Sequence, residues 1–207
     1  MATIFRTWSY KYQWLYNGIS ALAAMAVGGE KAFRQLPLQG LEINTDTAVL
    51  DLCCGAGSVT QLLVCYTNQV TGLDASPVAL ERAARKVPQA KYIEGQAEQM
   101  PLPDAEFDLV HTSAALHEMS RSQLGQILRE IYRVLKPGGT FALVDFHSPT
   151  NWLFWPPLAT FMWLFETETA WQLLQTDLVG HLQSVGFNNC QKYLYAGGSL
   201  QVIQAKK

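Results

Sequence analysis

Val49-Leu50-Asp51-Leu52-Cys53-Cys54-Gly55-Ala56-Gly57 carries the densest chemical signal in the chain. An apolar run ending in a carboxylate and then in glycines reads as a strand that delivers a tight loop, where bare backbone can approach a ligand. Asp74 follows the next apolar run, Gln69 to Leu73, and is placed to accept hydrogen bonds from both hydroxyls of a ribose. These features suit a dinucleotide or S-adenosylmethionine, and two details separate the two. The pyrophosphate fingerprint Gly-x-Gly-x-x-Gly needs a third glycine, and Thr60 stands in its place. Asp51 sets a carboxylate at the mouth of the loop, where it repels a pyrophosphate but suits the ammonium group of a methionine moiety, directly or through water. The residues favour the sulfonium donor.

Methyl transfer from a sulfonium is an in-line displacement, so the protein mainly aligns the acceptor, and near-attack positioning supplies roughly 7–11 kcal/mol of the barrier. Carbon methylation of a phenol or quinol gains a further ~10²–10⁴-fold from a general base. His117, in Thr112-Ser113-Ala114-Ala115-Leu116-His117-Glu118-Met119, is the first candidate, weighed against a loop histidine that caps the next helix. His147 is the second, weighed against a structural role. His111 lies inside a strand and reads as packed, and His181 reads as a surface residue. No metal site is expected, because Cys53, Cys54, Cys65 and Cys190 make neither a CxxC pair nor a zinc spacing.

Three Trp and three Phe crowd into Asn151 to Phe165. The segment reads either as a helix packed over the sheet edge or in a subunit interface, or as a lid lining a channel for a lipophilic acceptor. The lid reading extends to contact with a membrane surface. The run is shorter than the roughly 20 residues a membrane span needs, and it contains Pro156-Pro157.

The elements that must position these groups follow from periodicity. Short apolar strands are expected at 48–52, 69–73, 91–94, 107–112 and 140–145, and helices at 60–65, 76–87 and along Leu124, Ile127, Leu128, Ile131, Tyr132 and Leu135. Ser76-Pro77 supplies an N-cap and a first-turn proline for one of them. Pro137-Gly138-Gly139 closes the last. One more helix carries Trp171, Leu174, Leu178, Leu182 and Val185 on one face and ends at Gly186. A hairpin around Gly197-Gly198 then joins strands at 190–194 and 200–205.

Strands alternating with helices predict an α/β, Rossmann-like, doubly wound and mostly parallel seven-stranded sheet covered by helices on both faces. Residues 1–40 are helical in character: Tyr12 to Ala26 has helical spacing up to Gly28-Gly29, and a shorter helix at 31–35 stops before Pro37. They are expected to form an N-terminal cap on a domain at 41–207, with the aromatic insertion at about 148–170.

The chain has 207 residues, 49% hydrophobic and 15% charged, with a formal charge of −2. That composition excludes intrinsic disorder and provides no positive field for nucleic acid. Buried thiols and the absence of a secretory pattern point to the cytoplasm, with peripheral membrane contact left open.

At this level the chain resembles the class I S-adenosylmethionine-dependent methyltransferases. Val49 to Gly57 looks like their cofactor loop, Thr71-Gly72-Leu73-Asp74-Ala75-Ser76 like the ribose-binding strand end, and Gly95 to Pro103 like the adenine loop. Phe107 to Val110 and Leu135 to Gly139 look like the fourth strand and the turn before the fifth. The flanks, Tyr16-Asn17, Ser20, Gly28 to Arg34 and the final hairpin, are most similar to the ubiquinone/menaquinone biosynthesis C-methyltransferases. The resemblance implies a cofactor held by Asp51, Cys53, Gly55, Ala56 and Gly57 in the first loop and by Asp74 and Ala75 at the second strand. Gln96, Ala97, Glu98 and Ser113 complete the implied set. Two positions depart from the pattern. Cys53 replaces the usual first glycine, which requires the loop to avoid positive φ there. Gln96 stands where an Asp commonly receives the adenine amino group, and Gln can accept the same bond.

The expected function is methyl transfer to a small lipophilic acceptor, quinol- or phenol-like, with a homodimer left open. Two alternatives stay open: a methyltransferase for a soluble small molecule, and a cofactor-binding module without activity.

Overall fold

The alternating strands and helices assemble one seven-stranded sheet of order β3-β2-β1-β4-β5-β7-β6 in the computed structural model, which describes residues 27–207. The helix expected from Tyr12 to Ala26, and with it most of the 1–40 cap, lies outside the described residues. In chain order the elements are α1 (Glu30–Gln35), β1 (Val49–Leu52), α2 (Thr60–Leu63), β2 (Val70–Asp74), α3 (Pro77–Lys86), β3 (Lys91–Glu94) and β4 (Phe107–Ser113). Then come α4 (Arg121–Val134), β5 (Leu135–Phe146), α5 (Trp155–Phe165), α6 (Glu168–Leu174), α7 (Leu178–Val185), β6 (Asn188–Tyr195) and β7 (Leu200–Lys206).

The first five strands run parallel, and β7 enters antiparallel between β5 and β6. Strand order reverses between β1 and β4, so the crevice above their carboxyl ends is where a doubly wound sheet takes its ligand. Both faces of β1 are dry. Leu50 and Leu52 pack with Leu73, Val110 and the α4 residues Ile127, Leu128 and Ile131. Val49 packs on the other face with Leu63, Val70 and Leu109. Burial on both faces explains why these strands read as continuous apolar runs.

Local signals fix the helices that feed the crevice. The Ser76 side chain accepts from the Ala79 amide and Pro77 opens α3. A capping box between Ser120 and Gln123 starts α4.

Two of the expected elements are corrected. The helix expected along Trp171 to Val185 is two helices, because the Thr176 hydroxyl donates to the Gln172 carbonyl and the Asp177 side chain caps a new start at Gly180. Leu135, read as the last residue of the helical face, opens β5, whose pairing with β4 shifts register across Pro137-Gly138-Gly139, where Gly138 has φ 77°. Bonds from the Gly138 amide to Lys207 and from the Lys207 amide to Gly139 hold that stretch against the chain end. The first short helix ends at Gln35, before Pro37, as expected, and a 3₁₀ turn, Leu36–Leu38, follows it. The aromatic segment is a 3₁₀ turn, Trp152–Phe154, running into α5, with Leu158 and Met162 turned inward against Ala170 and Leu174.

Candidate active site

The loop after β1 turns back on itself through three positive-φ residues: Cys53 at 58°, Gly55 at 53° and Gly57 at 75°. The expectation that Cys53 avoids positive φ is therefore overturned. The chain must reverse at once so that the Cys54 amide can donate to the Leu73 carbonyl at 3.1 Å, and the left-handed conformation achieves that in one residue. Burial first, then the Asp74 and Asp51 charges, push the Cys53 thiol up to about 12, so it stays protonated.

Glycine is needed here for two different reasons. A Cβ on Gly55 would meet nothing within 4 Å, so this turn presents open backbone at the crevice. A Cβ on Gly57 would sit 3.0 Å from the Ala83 Cβ, so Gly57 lets α3 close on the loop.

Asp74 ties this loop to the next. Its carboxylate accepts from the Gly55 amide at 2.8 Å and the Ser76 amide at 2.9 Å, which aims it along the crevice beside the open glycine. Ala75 is exposed next to it and Ala56 is half-buried in the first loop. Across β2, Ala97 is buried, Glu98 is half-buried and accepts from the Gln123 side chain, and Gln96 is exposed in a turn closed by its bridge to Gln99. Ser113 ends β4 at the same rim, followed by Ala114 at φ 50°.

Asp51 departs from its expected place. It lies beneath the loop rather than at its mouth, with 2% exposure. The Thr60 hydroxyl donates to one of its oxygens at 2.6 Å, and the His111 ring stands 3.6 Å from the other. Sequence reading used Thr60 only as a missing glycine. Its hydroxyl in fact supplies the buried partner the carboxylate needs. His111 is packed in the core, as read from the sequence.

The two candidate bases sit past the ends of β4 and β5. His147 Nδ1 lies 2.8 Å from the Gly198 carbonyl and Nε2 lies 3.0 Å from Lys192 Nζ. A carbonyl only accepts, so Nδ1 carries the proton and the Nε2 lone pair accepts from lysine. His117 is buried, with Nδ1 2.8 Å from Asp145 and Nε2 3.6 Å from Glu166. Burial lowers its pKa, but Asp145, Glu166 and Glu118 outweigh it, and the ring is pushed up to about 9. It is an imidazolium at neutral pH.

Asp145 also accepts from the amides of Leu116, His117 and Phe146, so one carboxylate organises the whole turn. Asp145 and Glu166 are the residues sequence reading passed over. Their signals were present: Asp145 ends an apolar strand as Asp74 does, and Glu166 is the first charge after the aromatic run.

An open backbone turn with the Asp74 carboxylate beside it, at the crevice of a doubly wound sheet, is an arrangement that can take a nucleoside-bearing cofactor. The comparisons with known proteins agree. Residues 49–139 match the model of the methyltransferase domain. A protein of Synechocystis sp. named uncharacterized methyltransferase sll0829 is 62% identical over 100% of this chain and 97% of its own length. The 2-phytyl-1,4-naphtoquinone methyltransferase of Thermosynechococcus vestitus is 28% identical over 88% of this chain and 91% of its own. The crystal structure of a SAM dependent methyltransferase from Aquifex aeolicus superposes with a TM-score of 0.66 at 20% identity, covering 91% of this chain and 96% of that one. With a relative at this identity over nearly its whole length, the chain belongs to the methyltransferases.

Proposed function

We propose that the protein methylates a small lipophilic acceptor of quinol or phenol type. The observation that carries this reading is the aromatic strap at 152–165, set beside the carboxyl ends of β4 and β5. Phe146, Phe161 and Phe165 form a chain of ring contacts that begins at His117, with centroids 4.7, 5.7 and 5.5 Å apart in succession. An apolar ring that must be aligned for in-line attack gains from such a wall, because apolar burial orients it without demanding polar partners. The similarity to a 2-phytyl-1,4-naphtoquinone methyltransferase supports the same class.

When bound, S-adenosylmethionine supplies the electrophilic methyl group. Asp74 and Ala75 would hold its ribose end, Gly55, Ala56 and Cys53 its path over the loop, and Gln96, Ala97 and Glu98 its adenine. Asp51, with Thr60, would brace the loop from beneath, and Ser113 would form the floor of the crevice. The histidines take different parts from those expected of a base. His147 ties the hairpin to the end of β5, and His117 would bring a fixed positive charge to the acceptor side. Transfer then depends on alignment, with the acceptor's own acidity favoured by that charge.

The test uses methyl-labelled S-adenosylmethionine with a fractionated lysate of the source organism, counting label in the organic and aqueous phases. Label in the lipid phase supports the proposal. Label confined to water overturns it in favour of a soluble acceptor, and binding of the cofactor without transfer to either phase overturns it in favour of a binding module.

A further inference from the structure

The strap is fixed at both of its ends, and the two fixings differ in kind. At its start, the amides of Thr150 and Asn151 both donate to the Gly197 carbonyl at 3.0 Å, and the Phe154 ring packs on Gly197. Those contacts are backbone bonds and sterics, which pH does not change. At its end, α5 runs out at Glu166, whose carboxylate lies 3.6 Å from His117 Nε2. The other side of that ring is held at 2.8 Å by Asp145, anchored in β5.

We propose that Glu166 is a positioning residue: it clasps the aromatic strap to the ends of β4 and β5 through the His117 ring, and the clasp opens when that ring loses its proton. Three features carry the assignment. His117 bridges two carboxylates from separate elements, so it joins the strap to the sheet rather than bracing one loop. The bridge is 5% exposed at the ring and therefore weakly screened. And Glu166 is the first charged residue at the end of the strap, since none occurs from Asn151 to Phe165. The charged groups facing the ring are Asp145 on β5, Glu166 after α5 and Glu118 on its own turn, all acidic. Each therefore favours the protonated ring. The clasp is closed at neutral pH and releases the strap as pH rises through about 9, the value to which the three carboxylates push the ring. It does not depend on the acceptor being a lipid.

Hydrogen exchange on the full chain, read by mass spectrometry without ligand, tests the clasp. Glu166→Gln keeps the shape and removes the charge, so amides of 155–165 are expected to exchange about tenfold faster at pH 7.5 while those of β4 and β5 keep wild-type rates. The His117 ring, followed by NMR, is expected to titrate about one unit lower in Glu166→Gln and within a few tenths of wild type in Glu166→Asp. A purely structural Glu166 would not move that titration. Strap exchange within twofold of wild type, equal acceleration throughout the sheet, or an unmoved His117 titration would each overturn the proposal.

Discussion

Asp74 does two jobs with one carboxylate. It accepts from Gly55 and Ser76, and it remains the anionic partner beside the open turn. Asp74→Ala is expected to weaken cofactor binding by roughly 1–3 kcal/mol, because a charge-assisted acceptor is lost and two amides lose their partner. Isothermal titration calorimetry reads this directly, and unchanged affinity would remove Asp74 from the site. Cys53 presents the reverse case, a residue whose backbone matters more than its side chain. At φ 58° an L-residue bears about 1–2 kcal/mol of steric cost. Cys53→Gly should therefore leave the urea midpoint nearly unchanged, since relief of strain offsets the lost thiol packing. Cys53→Val should lower stability by about 1–2 kcal/mol, because a branched Cβ fits that region worse still. The glycines at 55 and 57 made their part of the loop legible in the sequence. Cys53 did not, because an L-residue in the left-handed region leaves no mark in the residue type itself.

Among the elements, those with a strong apolar period or a local cap were legible. The α4 face, the Ser76-Pro77 start of α3 and the five parallel strands all fall close to where the sequence puts them. What was lost depends on contacts from elsewhere in the chain. The early start of β5 relies on Lys207, and the break between α6 and α7 depends on two side chains competing for backbone groups that periodicity ignores. The strap belongs to this second kind: its composition was conspicuous, but its attachment to the hairpin was not. A Cβ built on Gly197 would lie 2.1 Å from the Phe154 ring, at a φ of +62°. Gly197→Ala should thus displace Phe154 and cost about 1–3 kcal/mol, the range for forced overpacking. Chymotryptic cleavage within 152–163 should speed up in that variant, because Trp152 and Trp163, already 74% and 72% exposed, lose the contact that holds the turn. Wild-type cleavage would show the strap to be anchored elsewhere.

For the whole molecule, the parallel sheet and its crevice were readable from one chain, whereas the pairing of distant charges was not. His117 and Glu166 come together only because β4, β5 and α5 converge at one end of the sheet, and no local spacing encodes that convergence. Their meeting has a consequence for stability. In the unfolded chain His117 titrates at its ordinary value of 6.5, while in the folded protein it is pushed up to about 9. The folded state therefore binds the proton more tightly, and stability from this site is full below about pH 6.5. It declines as pH rises through the folded value, because only the folded protein must then give up a proton it held closely. Cysteines, tyrosines and lysines also titrate toward the upper end of that window, so the measurement is a difference. Urea unfolding of the wild type and of His117→Gln should be compared at intervals from pH 6 to 10. The wild type should lose its advantage over the variant progressively between about pH 6.5 and 9 and retain none of the proton-linked part above it. A difference that stays constant across the window would mean that the ring is neutral in the fold and that the two carboxylates do not hold it as a cation.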